Sequence, residues 1–105
     1  MMRRWLNVLI PFAASFAMSS AHAQTLPIQL YAAGSLRDAL TEVARQFEAQ
    51  TGQTVGLTFG ASGLLRERIE KGEAAQVFAS ADMDHPQQLA QAGGWTVPSV
   101  FALNQ

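Results

Sequence analysis

Short runs of apolar, β-forming residues alternate along the chain with longer stretches whose apolar residues recur at helical spacing. The short runs predict strands at residues 27–32 (PIQLYA), 54–59 (TVGLTF) and 76–79 (QVFA), the last of them buried. The longer stretches predict helices at 36–50, at 64–71 and from Pro86 to the Gly93–Gly94 pair. Three successive strand–helix units are typical of an α/β fold, a parallel sheet with flanking helices.

The first helix has the clearest boundary signals. Its apolar residues share one face at helical spacing: Leu36, Ala39, Leu40, Val43, Ala44 and Phe47. Ser35 and Asp38 form a capping-box-like pair, in which the serine oxygen accepts a first-turn N–H and the carboxylate reaches back. Gly52 stands where a left-handed C-terminal cap is expected, and Gly72 ends the second helix. Beyond Trp95 another extended segment is expected, with a proline at position 98.

The N-terminus has the features of a secretory signal peptide. A basic start, Met1–Arg4, precedes an apolar run from Trp5 to Met18 and the small-residue motif Ala21-His22-Ala23. The apolar run is short for a transmembrane anchor, and Pro11 and Ser15 interrupt it. We therefore expect residues 1–23 to be a signal peptide that is cleaved before Gln24.

The charge and the cysteine content exclude several classes of function and of attachment. The 105 residues carry 7 basic and 8 acidic side chains and no cysteine. Without Arg3 and Arg4 of the signal peptide, five basic and eight acidic residues remain, a net charge of about −3. This balance provides no basic patch for nucleic acid. The lack of cysteine excludes disulfides, thiolate metal sites and a lipid anchor, so we expect a periplasmic protein held between two membranes.

Two turns carry the candidate chemistry. Gly34–Ser35 and Ser62–Gly63 each join the end of a predicted strand to the start of a helix. In a parallel sheet such turns gather at the carboxyl edge, where ligands bind. Backbone N–H groups, serine hydroxyls and helix dipoles there favour an anion, and neither turn contains a lysine or arginine. The alternative is that both serines only cap their helices.

Three ordered motifs resemble the periplasmic molybdate-binding proteins of molybdate ABC transporters. They are AAGSLRDAL (Ala32–Leu40), GASG (Gly60–Gly63) and VFASAD (Val77–Asp82). The resemblance extends from about Ile28 to Trp95. It implies a type II periplasmic binding fold, in which two α/β lobes close over a tetrahedral oxyanion, molybdate or tungstate.

The same resemblance implies roles for individual residues and partners. Ser35 and Ser62 would donate hydroxyl and main-chain N–H hydrogen bonds to the oxyanion, with Gly34, Ala61 and Gly63 shaping the turns. Molybdenum or tungsten would be bound as an oxyanion, coordinated through Ser35 and Ser62, and not as a bare cation. No cofactor is implied. Permease and ATPase subunits of a transporter would be the protein partners, and the binding protein would be a monomer without enzymatic activity.

Family members are roughly twice as long as the segment after the signal peptide. The resemblance therefore implies that residues 24–105 are the N-terminal lobe and that most of the second lobe, with its own donors including a tyrosine hydroxyl, is missing. Losing about three charge-assisted hydrogen bonds would cost about 5–9 kcal/mol. On this basis the 105-residue chain is expected to bind molybdate weakly or not at all.

Other functions can be written for the same residues. A serine hydrolase would use Ser62, His85 and Asp82, although Leu64 stands where a nucleophile elbow needs glycine. Asp82, Asp84 and His85 could be metal ligands, but a solvated turn that caps the next helix is the simpler interpretation.

A third possibility is that the same fold binds another small anion. Phosphate is disfavoured because neither turn offers an acceptor carboxylate apart from Asp38, whereas molybdate and tungstate are too similar in size to separate.

Overall fold

The computed structural model describes residues 26–103, which form a three-stranded parallel sheet with helices packed against it. The elements in chain order are β1 (Ile28–Ala33), a 3-10 turn (Gly34–Leu36), α1 (Arg37–Thr51), β2 (Val55–Gly60), α2 (Ser62–Glu70), β3 (Val77–Ala79) and α3 (Asp84–Ala92). The predicted α/β class and the three strand–helix units are confirmed. The predicted signal peptide, residues 1–23, lies outside the described residues.

β1 is the central strand of the sheet, with β2 on one side and β3 on the other. Ile28 pairs with Val55 and Ala33 with Gly60, so β1 and β2 run parallel and end at the same level. The chain leaves β1 in one direction to reach β2 and returns past β1 to reach β3. Because such crossovers are right-handed, α1 and α2 lie on opposite faces of the sheet.

The main hydrophobic core lies between the sheet and the α2–α3 pair. Tyr31 of β1 packs with three buried helix residues: Leu65, Ile69 and Leu89. Ala75, Phe78 and Trp95 surround this cluster. Leu65 is completely buried, and truncating such a side chain to alanine typically costs about 2–5 kcal/mol. The core therefore fixes α2 over the central strand.

Apolar periodicity overstates burial on the other face. Only Ala44 is buried among the six apolar positions of α1 named above, while Val43 remains 57% and Phe47 39% exposed. β3 also departs from the prediction of a buried strand, because Val77 is 46% exposed and Ala79 alone is buried. Helical spacing identifies the face of a helix that can pack, but burial requires a neighbouring element on that face.

The predicted helix starts differ from the structure in detail, and α2 begins at Ser62 instead of Leu64. Ser35 lies inside the 3-10 turn, α1 begins at Arg37, and no side chain of residues 26–103 caps either the turn or α1. The proposed Ser35–Asp38 capping box therefore does not form. Pro86 occupies the third position of α3 and not the first, because the helix already begins at Asp84. Beyond Trp95, where an extended segment is predicted, residues 96–103 have no regular secondary structure.

Helix α1 ends as its glycine predicts. Gly52 adopts a left-handed conformation with φ of 75°, which a side chain would disfavour, and its N–H donates to the carbonyl of Glu48 at 2.9 Å. The Glu48 carboxylate in turn accepts the N–H of Val55 at 2.7 Å and pairs with Arg45. One residue thus joins the end of α1 to the start of β2. No helix among residues 26–103 has the length and apolar character needed to cross a membrane.

A polar cluster fastens the loop after α2 to the central strand. The Tyr31 hydroxyl donates to Glu73 at 2.6 Å, and the Arg68 guanidinium donates to both oxygens of the same carboxylate at 3.0 Å. Arg68 also lies 5.5 Å from the centre of the Tyr31 ring. The hydrogen bonds from Arg68 and Tyr31 lower the pKa of Glu73 below its usual value, since both favour the ionised carboxylate.

We predict that Glu73→Gln lowers the stability of the chain in a pH-dependent way. A group whose pKa is depressed on folding stabilises the protein above its unfolded-state pKa and loses that contribution as the pH falls through its folded-state pKa. The variant should therefore unfold more easily than wild type near neutral pH, and the difference should shrink in acid below the ordinary glutamate pKa. Urea denaturation at several pH values measures this.

Glu67→Gln is the matched control, because Glu67 is an exposed glutamate on α2. Its stability relative to wild type should change little over the same pH range. A Glu73→Gln effect that stays constant down to the lowest pH would show that the carboxylate charge is not what fastens this loop.

Candidate oxyanion-binding site

The two serine turns lie side by side at the carboxyl edge of the sheet. Ala33 and Gly60 are paired at the ends of β1 and β2, and the turns follow directly from them. A Cβ placed on Gly34 would lie 4.0 Å from the Gly60 carbonyl oxygen, which shows how closely the backbones of the two turns approach each other. The sequence-based expectation that both turns share one edge is therefore met by the geometry.

Helix α2 presents backbone donors at this edge. Ala61 precedes the helix, and its carbonyl accepts the N–H of Leu65 at 3.0 Å, which closes the first turn. The N–H groups of the first three helical residues, Ser62 to Leu64, therefore have no acceptor within the helix. No side chain of the described residues caps this end. These amides are available to an external acceptor.

The turn after β1 is built differently but also leaves its donors uncapped. Gly34–Leu36 form a single 3-10 turn, and the first residue of α1 donates its N–H to the Gly34 carbonyl. Ser35 is exposed, and the turn has no side-chain cap within residues 26–103. Because Ser35 does not cap the helix, its hydroxyl can serve another acceptor.

A third loop reaches the site through Ser62. The backbone N–H of Ala81, in the loop between β3 and α3, donates to the Ser62 hydroxyl oxygen at 3.0 Å. This contact holds the side chain in place while leaving its own O–H able to donate. No local sequence pattern predicts this bond, because it joins residues nineteen positions apart.

His85 lies against the start of α2. A Cβ placed on Gly63 would be 3.1 Å from the imidazole Cε1 and 3.2 Å from Nε2, so glycine allows the ring to approach the backbone. The Arg66 Nε donates to His85 Nδ1 at 2.9 Å, and the same guanidinium pairs with Glu70 at 2.9 Å. The Arg66 guanidinium is thus engaged by two partners, His85 and Glu70.

Arg37, the cation nearest the other turn, is also engaged. Its guanidinium lies 4.6 Å from the centre of the Phe59 ring on β2, a cation–π distance. The donors that the described residues place at the two turns are therefore neutral amides and hydroxyls. Such donors suit a small, desolvated anion.

Ser35 also borders a separate cleft of about 580 Å³. Its walls come mainly from β3, the loop after it and the segment from Trp95 to Leu103, and Ala61, Ser62 and Gly63 do not line it. The cleft is more apolar than polar, whereas the uncapped amides lie at the turns. We therefore place the candidate anion site at the turns and not within the cleft.

The described residues do not form the alternative sites, a serine hydrolase triad or a metal site. In a serine hydrolase the histidine Nδ1 donates to a carboxylate, but His85 Nδ1 accepts a hydrogen bond from Arg66. Asp82 instead accepts the N–H of His85 at 3.3 Å, a hydrogen bond within the polar turn that leads into α3. Within residues 26–103, no cluster of three or more histidine or carboxylate side chains could hold a metal ion.

We predict an unfavourable coupling between Gly63→Ala and the His85 ring. Alanine normally favours a helix over glycine by about 1 kcal/mol, but here the new methyl group would press on the imidazole. Gly63→Ala should therefore stabilise the chain more in a His85→Ala background than in wild type, by about 0.5–3 kcal/mol. Denaturation of the four proteins of the double-mutant cycle measures this coupling.

Gly72→Ala is a useful comparison, because no atom of the described part of the chain lies within 4 Å of a Cβ at that position, and its φ of 106° alone makes alanine unfavourable. Its effect should be the same in both backgrounds. Equal effects of Gly63→Ala with and without the imidazole would contradict the close packing of His85 on α2.

Comparison with known proteins agrees with this architecture. The chain is 40% identical over 83 residues to the molybdate-binding protein ModA of Escherichia coli (strain K12), covering 78% of this chain and 32% of that protein. It is 33% identical over 79 residues to ModA of Azotobacter vinelandii, covering 75% of this chain and 31% of the relative. The chain thus spans about a third of the length of these curated relatives.

A solved structure shares the fold. It is a substrate-binding domain assigned to a molybdenum ABC transporter of Clostridium difficile, with a TM-score of 0.62 and 25% identity over 65% of this chain and 30% of that one. The family model of bacterial extracellular solute-binding proteins matches residues 28–105, which include both serine turns and the loop that contacts Ser62. The chain belongs to the family of bacterial extracellular solute-binding proteins.

Proposed function

We propose that the chain binds a small tetrahedral oxyanion, molybdate or tungstate, for uptake by an ABC transporter. The observation that carries this proposal is the pair of uncapped helical turns at the paired ends of β1 and β2. Relatives named as molybdate-binding proteins support the choice of anion. Permease and ATPase subunits of a transporter are the proposed protein partners.

The binding mechanism uses hydrogen-bond donors without a counter-ion. Ser35 and Ser62 donate their hydroxyls and main-chain N–H groups, and Gly34, Ala61 and Gly63 keep the turns free of bulky side chains. Each hydrogen bond to a charged group contributes about 1.5–3 kcal/mol. The positive ends of the helix dipoles add to this, so several neutral donors can stabilise a dianion.

Selectivity for the protonation state of the anion follows from the lack of a carboxylate acceptor within the two turns. A protonated anion such as hydrogen phosphate brings its own O–H donor, which needs an acceptor when it is desolvated. The described turns offer mainly donors, and Asp38 lies inside α1. The site therefore favours a fully deprotonated anion. Molybdate and tungstate are expected to compete, and another deprotonated oxyanion on the same turns is the second candidate.

We propose that the protein carries its ligand and does not act as an enzyme. Because His85 Nδ1 accepts from Arg66, Nε2 of the neutral ring carries the proton and cannot take one from Ser62 as a general base. The signal-peptide pattern at residues 1–23 supports a periplasmic location. The charge balance of the sequence supports a protein that acts without nucleic acid, and we propose a monomer.

The described residues would provide one side of the binding site. The chain covers about a third of the length of its curated relatives, and we propose that residues 24–105 correspond to the first lobe of a two-lobed binding domain. The donors of this lobe converge from one edge of the sheet. A second set of donors would have to approach from the opposite side to enclose the anion, so binding by these donors alone should be weak.

We predict that molybdate shifts the NMR signals of a defined set of backbone amides in the 105-residue chain. The largest changes should occur at residues 34–36 and 62–64, because their N–H groups contact the anion directly. Ser35→Ala and Ser62→Ala should each weaken binding about tenfold or more, as expected for the loss of a hydrogen bond to a charged group. A titration followed by ¹⁵N–¹H spectra detects even millimolar affinity.

Thr41→Val is the matched control, because it removes a hydroxyl from the middle of α1, away from both turns. Sulfate and phosphate serve as competing anions. The proposal would be wrong if molybdate at high concentration leaves these amides unchanged, or if Thr41→Val weakens binding as much as the two serine variants do.

A further inference from the structure

His85 connects three parts of the candidate site. The ring lies against Gly63, the second residue of α2, with Nε2 3.2 Å from the position that a Cβ would take there. His85 itself is the second residue of α3. It also follows the loop whose Ala81 N–H holds the Ser62 hydroxyl. No other titratable side chain of the described residues is placed so close to the backbone of Gly63.

We propose that His85 strengthens oxyanion binding when it is protonated and thereby makes the affinity depend on pH. This inference rests on the proposed function, because it concerns the same anion at the same turns. It goes further by naming a residue that does not touch the anion and acts through charge.

The hydrogen bonds define the neutral state of the ring. His85 Nδ1 accepts from Arg66 Nε at 2.9 Å, so Nδ1 carries a lone pair and the proton is on Nε2. Protonation would place a hydrogen on Nδ1 and break this bond. The ring would then turn its positive charge away from Arg66, toward Asp82, whose Oδ2 is 3.8 Å from Nε2.

The charged groups around the ring do not cancel this effect. On α2, Arg66 is paired with Glu70. On the α3 side, Asp82 faces the ring and Asp84 precedes it in the chain. Protonation therefore adds one positive charge beside the start of α2, while Arg66 keeps its partner Glu70. Histidine is the side chain whose ordinary pKa places such a change near physiological pH.

The sign of the coupling between His85 protonation and anion binding follows from the interactions that exist only in the complex. The cost of breaking the Arg66 bond is the same with and without the anion, so it does not alter the affinity. The attraction between the imidazolium and an anion at the start of α2 exists only in the complex. By linkage, protonation of His85 tightens binding and the bound anion favours protonation to the same degree.

The test compares wild type with His85→Gln, whose amide oxygen can still accept from Arg66 but which stays neutral. Molybdate affinity of the 105-residue chain is measured by NMR titration between about pH 8 and about pH 6, where molybdate remains a dianion. Wild type should bind about fivefold tighter or more at the lower pH, and His85→Gln should lose this gain. His22→Gln, which changes the only other histidine, should behave as wild type.

A second readout follows the imidazole signals of His85 directly. They should titrate at a higher pH in the presence of molybdate than in its absence. If the turn amides respond to molybdate but the titration of His85 does not move, this inference fails and the proposed function stands. If the amides do not respond either, both fail. A pH dependence that persists in His85→Gln would also overturn the inference.

Discussion

The parallel pairing of β1 with β2 is the constraint on which the rest of the site depends. Because Ala33 is paired with Gly60, both strands end at the same level, and each turns directly into a helical segment. Two sets of uncapped N–H groups are thereby placed side by side. A shift of the pairing by one residue would turn every side chain of one strand to the opposite face, and it would also separate the two turns.

Packing on one face of the sheet keeps this arrangement in place. Leu65 lies one turn beyond the start of α2, is fully buried, and packs with Tyr31 of the central strand. The end of α2 is held by the Arg68–Glu73–Tyr31 cluster. Helix α2 is therefore fixed at both ends, so its N-terminal amides are positioned before any ligand arrives. Such preorganisation reduces the entropic cost of binding.

The order of strands and helices could be predicted from the sequence because it depends on local signals: β-forming runs, helical spacing and glycine stops. Gly52 is a clear example, since its left-handed conformation is what the pattern required. The capping prediction at Ser35 was wrong because a 3-10 turn precedes α1, and residue types alone do not distinguish a 3-10 start from an α-helical one. The bond between Ala81 and Ser62 and the packing of His85 on Gly63 depend on how distant segments meet, which no local pattern encodes.

The proposed function requires that the two turns together hold one oxyanion. Diffraction from crystals of the chain soaked in tungstate tests it most directly, because tungsten scatters anomalously and can be located without ambiguity. We expect a single anomalous peak between residues 34–36 and 62–64, with oxygens within hydrogen-bonding distance of amides from both turns. A peak in the cleft beside Trp95, or one that contacts a single turn, would contradict it.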